Sequence, residues 1–358
     1  MNKQSLSKAP IIEAITPFQD PETGRSIVQL GQVHDLQCNG DSISMVLGLT
    51  TWSAPLWEEI RTELVTLLEK TFSGRKAEVK LAVEQRPAEA IGQTGLKAKS
   101  VIAVGAGKGG VGKSSLAAYL ALGLARAGCQ VGLMDADIYG PSIPHLLGTE
   151  QRAVIRDNRI QPVLAESLKV ISIGYIAPKG EPIIWRGPML HTALAQFLRD
   201  TEWGELDYLI IDLPPGTGDI ALSLSQLLPL TGAVVVGTPQ ELALLDVVKA
   251  IEMFRRVNIE VLGMIENMSL FVCSKCGAEH DIFGSGGAEK KAAQMNVPFL
   301  GRLPLATELR TMADQGQIAK AFDSPTLRPY LDSIILNLIR HLVRERRKQP
   351  VLPTLTVL

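Results

Sequence analysis

One stretch of this chain restricts its folding choices more than any other: Gly107-Lys108-Gly109-Gly110-Val111-Gly112-Lys113-Ser114. It satisfies the phosphate-loop pattern G-x-x-x-x-G-K-[ST], which average composition would produce about 0.01 times in a chain of this length. Val101-Ile102-Ala103-Val104 ahead of it reads as a buried strand, and Ser115 to Leu122 behind it as a helix. Glycines let backbone N–H groups close around phosphate oxygens, and the helix N-terminus adds its positive dipole end. Lys113 is placed to reach the β- and γ-phosphates, the Ser114 hydroxyl to ligate Mg²⁺, and Ser115 counts with the loop as a nucleotide contact.

The loop predicts what surrounds it. From residue 100, apolar strands at 101–105, 131–134, 170–173, 208–211, 233–237, 261–265 and 298–300 alternate with helical patterns. That order means an α/β unit with a mainly parallel sheet covered on both faces. Ahead of it, Ser42–Leu47 and Val79–Val83 read as strands around a helix at 56–68, a small α+β unit. The expected division is 1–85 for the small unit, 86–99 for a linker rich in breakers, 100–349 for the phosphate-loop domain and 350–358 for a tail.

Composition removes several classes of function. Lys+Arg 36 against Asp+Glu 37 offers no global attraction to nucleic acid or an anionic membrane. Met1–Ser5 is polar, without the apolar core of a secretory signal, and no apolar run is long enough to span a bilayer. Four cysteines, Cys38, Cys129, Cys273 and Cys276, are too few for a disulfide framework, so a cytoplasmic location is expected.

Two further segments carry chemistry. Val131–Met134 runs into Asp135-Ala136-Asp137, acidic residues at the carboxyl end of a strand. One would help hold hydrated Mg²⁺ and the other orient the attacking water, unless they cap the following turn. Leu209-Ile210-Ile211-Asp212 is an apolar strand ending in Asp, the Walker B arrangement that holds Mg²⁺, and Pro214 to Asp219 follows as a loop that can rearrange when the γ-phosphate leaves.

With Lys108 as a second lysine, the loop resembles the deviant Walker A form of MinD/ParA-type ATPases. Within that group the chain resembles the Mrp/ApbC family of iron–sulfur cluster carriers. The residues are Asp135 to Pro144, Trp185-Arg186-Gly187-Pro188-Met189, Asp212 to Asp219, Glu266-Asn267-Met268-Ser269, Cys273-Ser274-Lys275-Cys276-Gly277 and His280 to Gly287. The resemblance implies an ATPase whose ATP clamps a homodimer and whose cargo goes to apo iron–sulfur proteins. It implies that Lys108 acts across the dimer, Lys113 binds phosphate, Ser114 binds Mg²⁺, Asp137 positions water, Asp212 holds the Mg²⁺ hydration shell and Asn267 contacts adenine. No nucleic acid or membrane partner is expected. Asp20 to Gly31 and Leu49-Thr50-Thr51 resemble the iron–sulfur-assembly domain that often precedes such ATPases, but Ala54 stands where that domain usually has cysteine.

Cys273 and Cys276 supply two thiolates per chain. Paired across a twofold axis they would supply four, which suits a [4Fe–4S] cluster, with zinc the rival and His280 near enough for a Cys₂His set. Cys38 and Cys129 read as ordinary small, buried residues. The alternative readings are a MinD/ParA-like positioning switch, to which the basic amphipathic stretch 330–348 would lend a membrane tail, and an ATP-dependent scaffold around structural zinc.

Overall fold

The computed structural model describes residues 7–39, 41–176, 187–216, 218–273, 276–284 and 286–351. Met1–Ser5, Trp185, Arg186, Thr217, Ser274, Lys275, Ser285 and tail residues 352–358 therefore lie outside the described residues. The chain divides into two compact units, one of residues 1–86 with 339–358, the other of residues 87–338.

The smaller unit contains α1 (Lys8–Ile15), β1 (Val33–Asn39), β2 (Ser42–Leu49), α2 (Trp57–Thr71) and β3 (Lys76–Val83). β2 is central, antiparallel to β1 and parallel to β3. In α2 the spacing of Ile60, Leu64 and Leu68 puts them on one face, and all three are buried. β1 gave no clear strand pattern, because only Leu36 of its seven residues is buried and Asp35 interrupts the ladder with a φ of 49°.

The larger unit begins with β4 (Ala90–Ile91) and β5 (Leu96–Gly105), so much of the breaker-rich stretch 86–99 is sheet. It continues through α3 (Lys113–Arg126), β6 (Val131–Asp135), α4 (Ile143–Leu146), β7 (Val154–Arg156), β8 (Arg159–Gln161), β9 (Val163–Ala165), β10 (Leu168–Ser172), α5 (Gly187–Arg199), β11 (Glu205–Asp212), α6 (Gly218–Leu227), β12 (Gly232–Gly237) and α7 (Glu241–Arg256). The last elements are β13 (Val261–Val272), β14 (Glu279–His280), α8 (Gly287–Gln294), β15 (Phe299–Leu305), α9 (Thr307–Asp314) and α10 (Arg328–Lys348).

The sheet runs β14-β13-β12-β5-β11-β6-β10-β9, with β15 beside β13 and β4 beside β5. Pairings among β13, β12, β5, β11, β6 and β10 are all parallel; β9 and β14 are antiparallel at the two ends of that order, and the two-residue β4 is antiparallel to the start of β5. Val101, Ala103, Leu209, Ile211, Ala233 and Val235 lie in one buried core cluster. Burial on both faces explains why these strands read as unbroken apolar runs. The mainly parallel α/β architecture matches the expected fold class.

α10 contributes its residues from Ile339 onward to the smaller unit. There Arg340 pairs with Glu59 at 2.5 Å and Arg347 with Glu63 at 3.0 Å. Leu342 and Val343 are buried. Among the described residues no helix is long and apolar enough to cross a membrane.

Candidate nucleotide site and cysteine turn

β5 is the middle of the parallel sheet, and the phosphate loop leaves its carboxyl end. On its two sides the strand order runs to β12 and to β11, the kind of switch point where parallel sheets open a crevice. The loop enters α3 through Gly112, whose φ of 81° an L-side chain rarely adopts. A Cβ there would also collide with Asn267 Nδ2. Leu116 to Leu124 of α3 are buried without a break, so the helix start, and the N–H groups it presents, are held by the core.

Lys113 and Asp212 meet in a buried ion pair, and Lys113 Nζ also donates to Ser114 Oγ at 3.1 Å. Asp212 ends β11 directly beside Asp135 at the end of β6. Burial pushes the Asp212 carboxyl above its ordinary 3.8, against the pull of Lys113. Asp212 Oδ2 is buried and finds no hydrogen-bond partner among the described residues. An orphaned carboxylate oxygen beside a serine hydroxyl and a lysine fits a hydrated Mg²⁺, which would satisfy it through a bound water.

Asp135 is fully buried, and its oxygens are engaged within the chain. Oδ2 accepts from Ser172 Oγ at 3.0 Å and Ile143 N at 3.3 Å, and Oδ1 accepts from Asp137 N at 3.1 Å. Burial first, then the charge of Asp212, pushes its carboxyl up to about 8. The geometry makes Asp135 a fastener for the loop that presents Asp137. Asp137 is half-buried and accepts from Gly140 N at 3.1 Å. Lys108 is half-buried and forms no ion pair among the described residues.

Asn267 Nδ2 donates to Val111 O at 2.8 Å. Beside it a cavity of ≈ 300 Å³ is lined by Gly112, Ser115, Tyr119, Asn267, Leu305 and Leu309. The walls from β15 and α9 were not foreseen, because nothing in their sequence ties them to a loop about 200 residues away. The amide was expected to offer both donor and acceptor to a base; its donor goes to the loop backbone, leaving Oδ1 as the free end.

Cys273 and Cys276 sit where β13 turns into β14. Cys273 N donates to Ala278 O at 2.9 Å, and Gly277 N donates to Cys273 O at 2.8 Å. Cys276 is exposed and Cys273 partly so. No group of three His, Cys, Asp or Glu side chains able to hold a metal occurs among the described residues, at His280 or elsewhere. The His280 ring lies by Phe271, 6.3 Å between centroids. Cys129 is buried, as expected, whereas Cys38 is partly exposed and accepts from Arg75 Nη1 at 3.3 Å.

Comparison with known proteins adds to this geometry. The family described as NUBPL iron-transfer P-loop NTPase matches residues 97–339, and that of iron–sulfur cluster assembly proteins matches residues 8–81. The sequence is 42% identical over 350 residues to the iron–sulfur cluster carrier protein of Deinococcus radiodurans, with 97% of each chain covered. A nucleotide-binding protein of Archaeoglobus fulgidus, solved in complex with ADP, is 40% identical with a TM-score of 0.56, covering 62% of this chain and 88% of its own. The cell division ATPase MinD of Pyrococcus furiosus is 19% identical with a TM-score of 0.50, covering 67% of this chain and 98% of its own, a likeness of fold alone.

Proposed function

The chain belongs to the NUBPL/ParA family of iron-transfer P-loop NTPases, and from that premise we propose that it is an ATP-hydrolysing iron–sulfur cluster carrier. Two copies together hold a [4Fe–4S] cluster as cargo on Cys273 and Cys276 and pass it to apo iron–sulfur proteins. The observation that carries this reading is the cysteine turn. It offers two solvent-reaching cysteines in the same unit as a phosphate loop, two thiolates per chain. A four-thiolate site then needs a second chain.

Each residue of the nucleotide site has work in this reading. The loop N–H groups from Gly107 to Ser115 surround the phosphates. Lys113 turns its charge from Asp212 to the β- and γ-phosphates. Ser114 Oγ and Asp212, through its free Oδ2, hold Mg²⁺, which neutralises phosphate charge when bound. Asp135 fixes the loop so that Asp137 orients the attacking water. Lys108 adds its cation across the interface of the two copies. The cavity beside Asn267 takes the adenine, whose amino group suits the free Oδ1 acceptor.

Anaerobic reconstitution of the full chain with iron and sulfide tests the cargo. The expected yield is about one cluster per two chains, with broad visible absorption, and Cys273→Ala or Cys276→Ala eliminates it. A colourless protein that takes up stoichiometric zinc instead would overturn the reading and favour a structural scaffold.

A further inference from the structure

β13 joins the nucleotide site to the cysteine turn. It runs from Val261 to Val272, carries Asn267 in its second half and ends beside Cys273. Between these residues its ladder with β15 slips, from Asn267 opposite Leu303 to Phe271 opposite Leu305. Met268 stands in the slip with a φ of 54°. A methionine keeps that left-handed conformation only where its surroundings hold it there.

Two contacts do the holding. On one side Asn267 is bonded to Val111 O in the phosphate loop, 156 residues away in sequence. On the other side Glu266, 1% exposed, accepts from Ser269 Oγ and from Ala288 N at 2.9 Å. Ala288 lies in the first turn of α8, where a carboxylate also meets the positive end of the helix dipole. The stretch from Val272 to Gly287, which bears both cysteines, thus has a foot near each end. Glu266 binds one foot and Asn267, its neighbour, is the other. The phosphate loop holds Asn267 directly, and Glu266 is its neighbour in the chain.

We propose that Glu266 is a positioning residue that couples nucleotide occupancy to the stance of the Cys273–Cys276 turn. When phosphates draw the loop N–H groups inward, the Val111 carbonyl moves with them and Asn267 follows it. Glu266 carries that displacement to the start of α8, so both feet of the stretch shift together. The functional meaning of this coupling rests on the reading of the cysteine pair as the cargo site; the coupling itself is a property of the metal-free chain.

The test uses the full, reduced, metal-free protein with and without Mg²⁺ and ADP. Alkylation of each cysteine by iodoacetamide is timed by peptide mass spectrometry. In the wild type, ADP is expected to change the rate at Cys273 and Cys276 by at least about fivefold, the lower end of coupling between linked sites. Glu266→Gln should bring that ratio to about one while ADP still binds, and Ser269→Ala, a milder change, should reduce it. A purely structural role would alter the rates with and without ADP alike and leave the ratio intact. Tyr330→Phe removes a 2.7 Å hydrogen bond to Glu279 on the same hairpin but not the footing, so it should keep the wild-type ratio. Cys129, buried in the core, reports any global opening of a variant; if it reacts in Glu266→Gln, Ser269→Ala decides. A wild-type ratio of one, or an unchanged ratio in a folded Glu266→Gln or Ser269→Ala, would overturn the proposal. Failed cluster reconstitution would sink the carrier reading without touching this ratio, because no iron or sulfide is present.

Discussion

Asp212 is a buried carboxylate whose only cationic support among the described residues is Lys113. Removing that lysine leaves a buried charge uncompensated, which costs about 3–5 kcal/mol. Lys113→Met is therefore expected both to abolish ATP binding and to lower the urea midpoint by a corresponding amount, and adding Asp212→Asn should restore most of the lost stability but no binding. Asp135 gives a pH signature. Its carboxyl rises from an ordinary 3.8 to about 8, so the folded chain holds a proton that the unfolded chain releases. Its contribution to stability is complete below about pH 4 and is lost as pH rises through about 8. Thermal melts should fall more over that window in the wild type than in Asp135→Asn. The phosphate loop was legible because its residues are contiguous. The Lys113–Asp212 pair spans 99 residues, and sequence gave only its two halves. The fate of the Asn267 donor was hidden for the same reason.

The elements that sequence identified best are those whose environment is uniform. β5, β6, β11 and β12 are buried on both faces, so apolar runs mark them. β14 has two residues, and α9 has no buried residue, so neither leaves a periodic trace. α10 was legible as an amphipathic helix with a basic end, but its pattern could not say what the basic end meets. Arg340 and Arg347 meet Glu59 and Glu63 in half-exposed pairs. Each is worth about 0.2–1 kcal/mol, so single alanine substitutions should shift unfolding midpoints only slightly. With those charges matched, the protein is expected to stay in the supernatant when anionic vesicles are sedimented, in the presence or absence of ATP.

At the scale of the molecule, the carrier reading requires two copies, and Lys108 is the residue expected to sense the second. Lys108→Ala should still bind ATP but lose self-association driven by a non-hydrolysable analogue, measured by sedimentation velocity. The smaller unit carries a different constraint. It is assembled from residues 1–86 and 339–358. Gly24, with a φ of 71°, leaves no room for a side chain against the Arg346 carbonyl, and Val351 N donates to Thr23 O at 2.8 Å. During synthesis, residues 1–86 thus cannot finish folding until residues from 339 onward have been made. Until then the smaller unit lacks the Arg340–Glu59 and Arg347–Glu63 pairs and the Val351–Thr23 bond, while the whole phosphate-loop unit is made. Ala54 lies in this late-closing unit, so the wait exposes no thiol at that position.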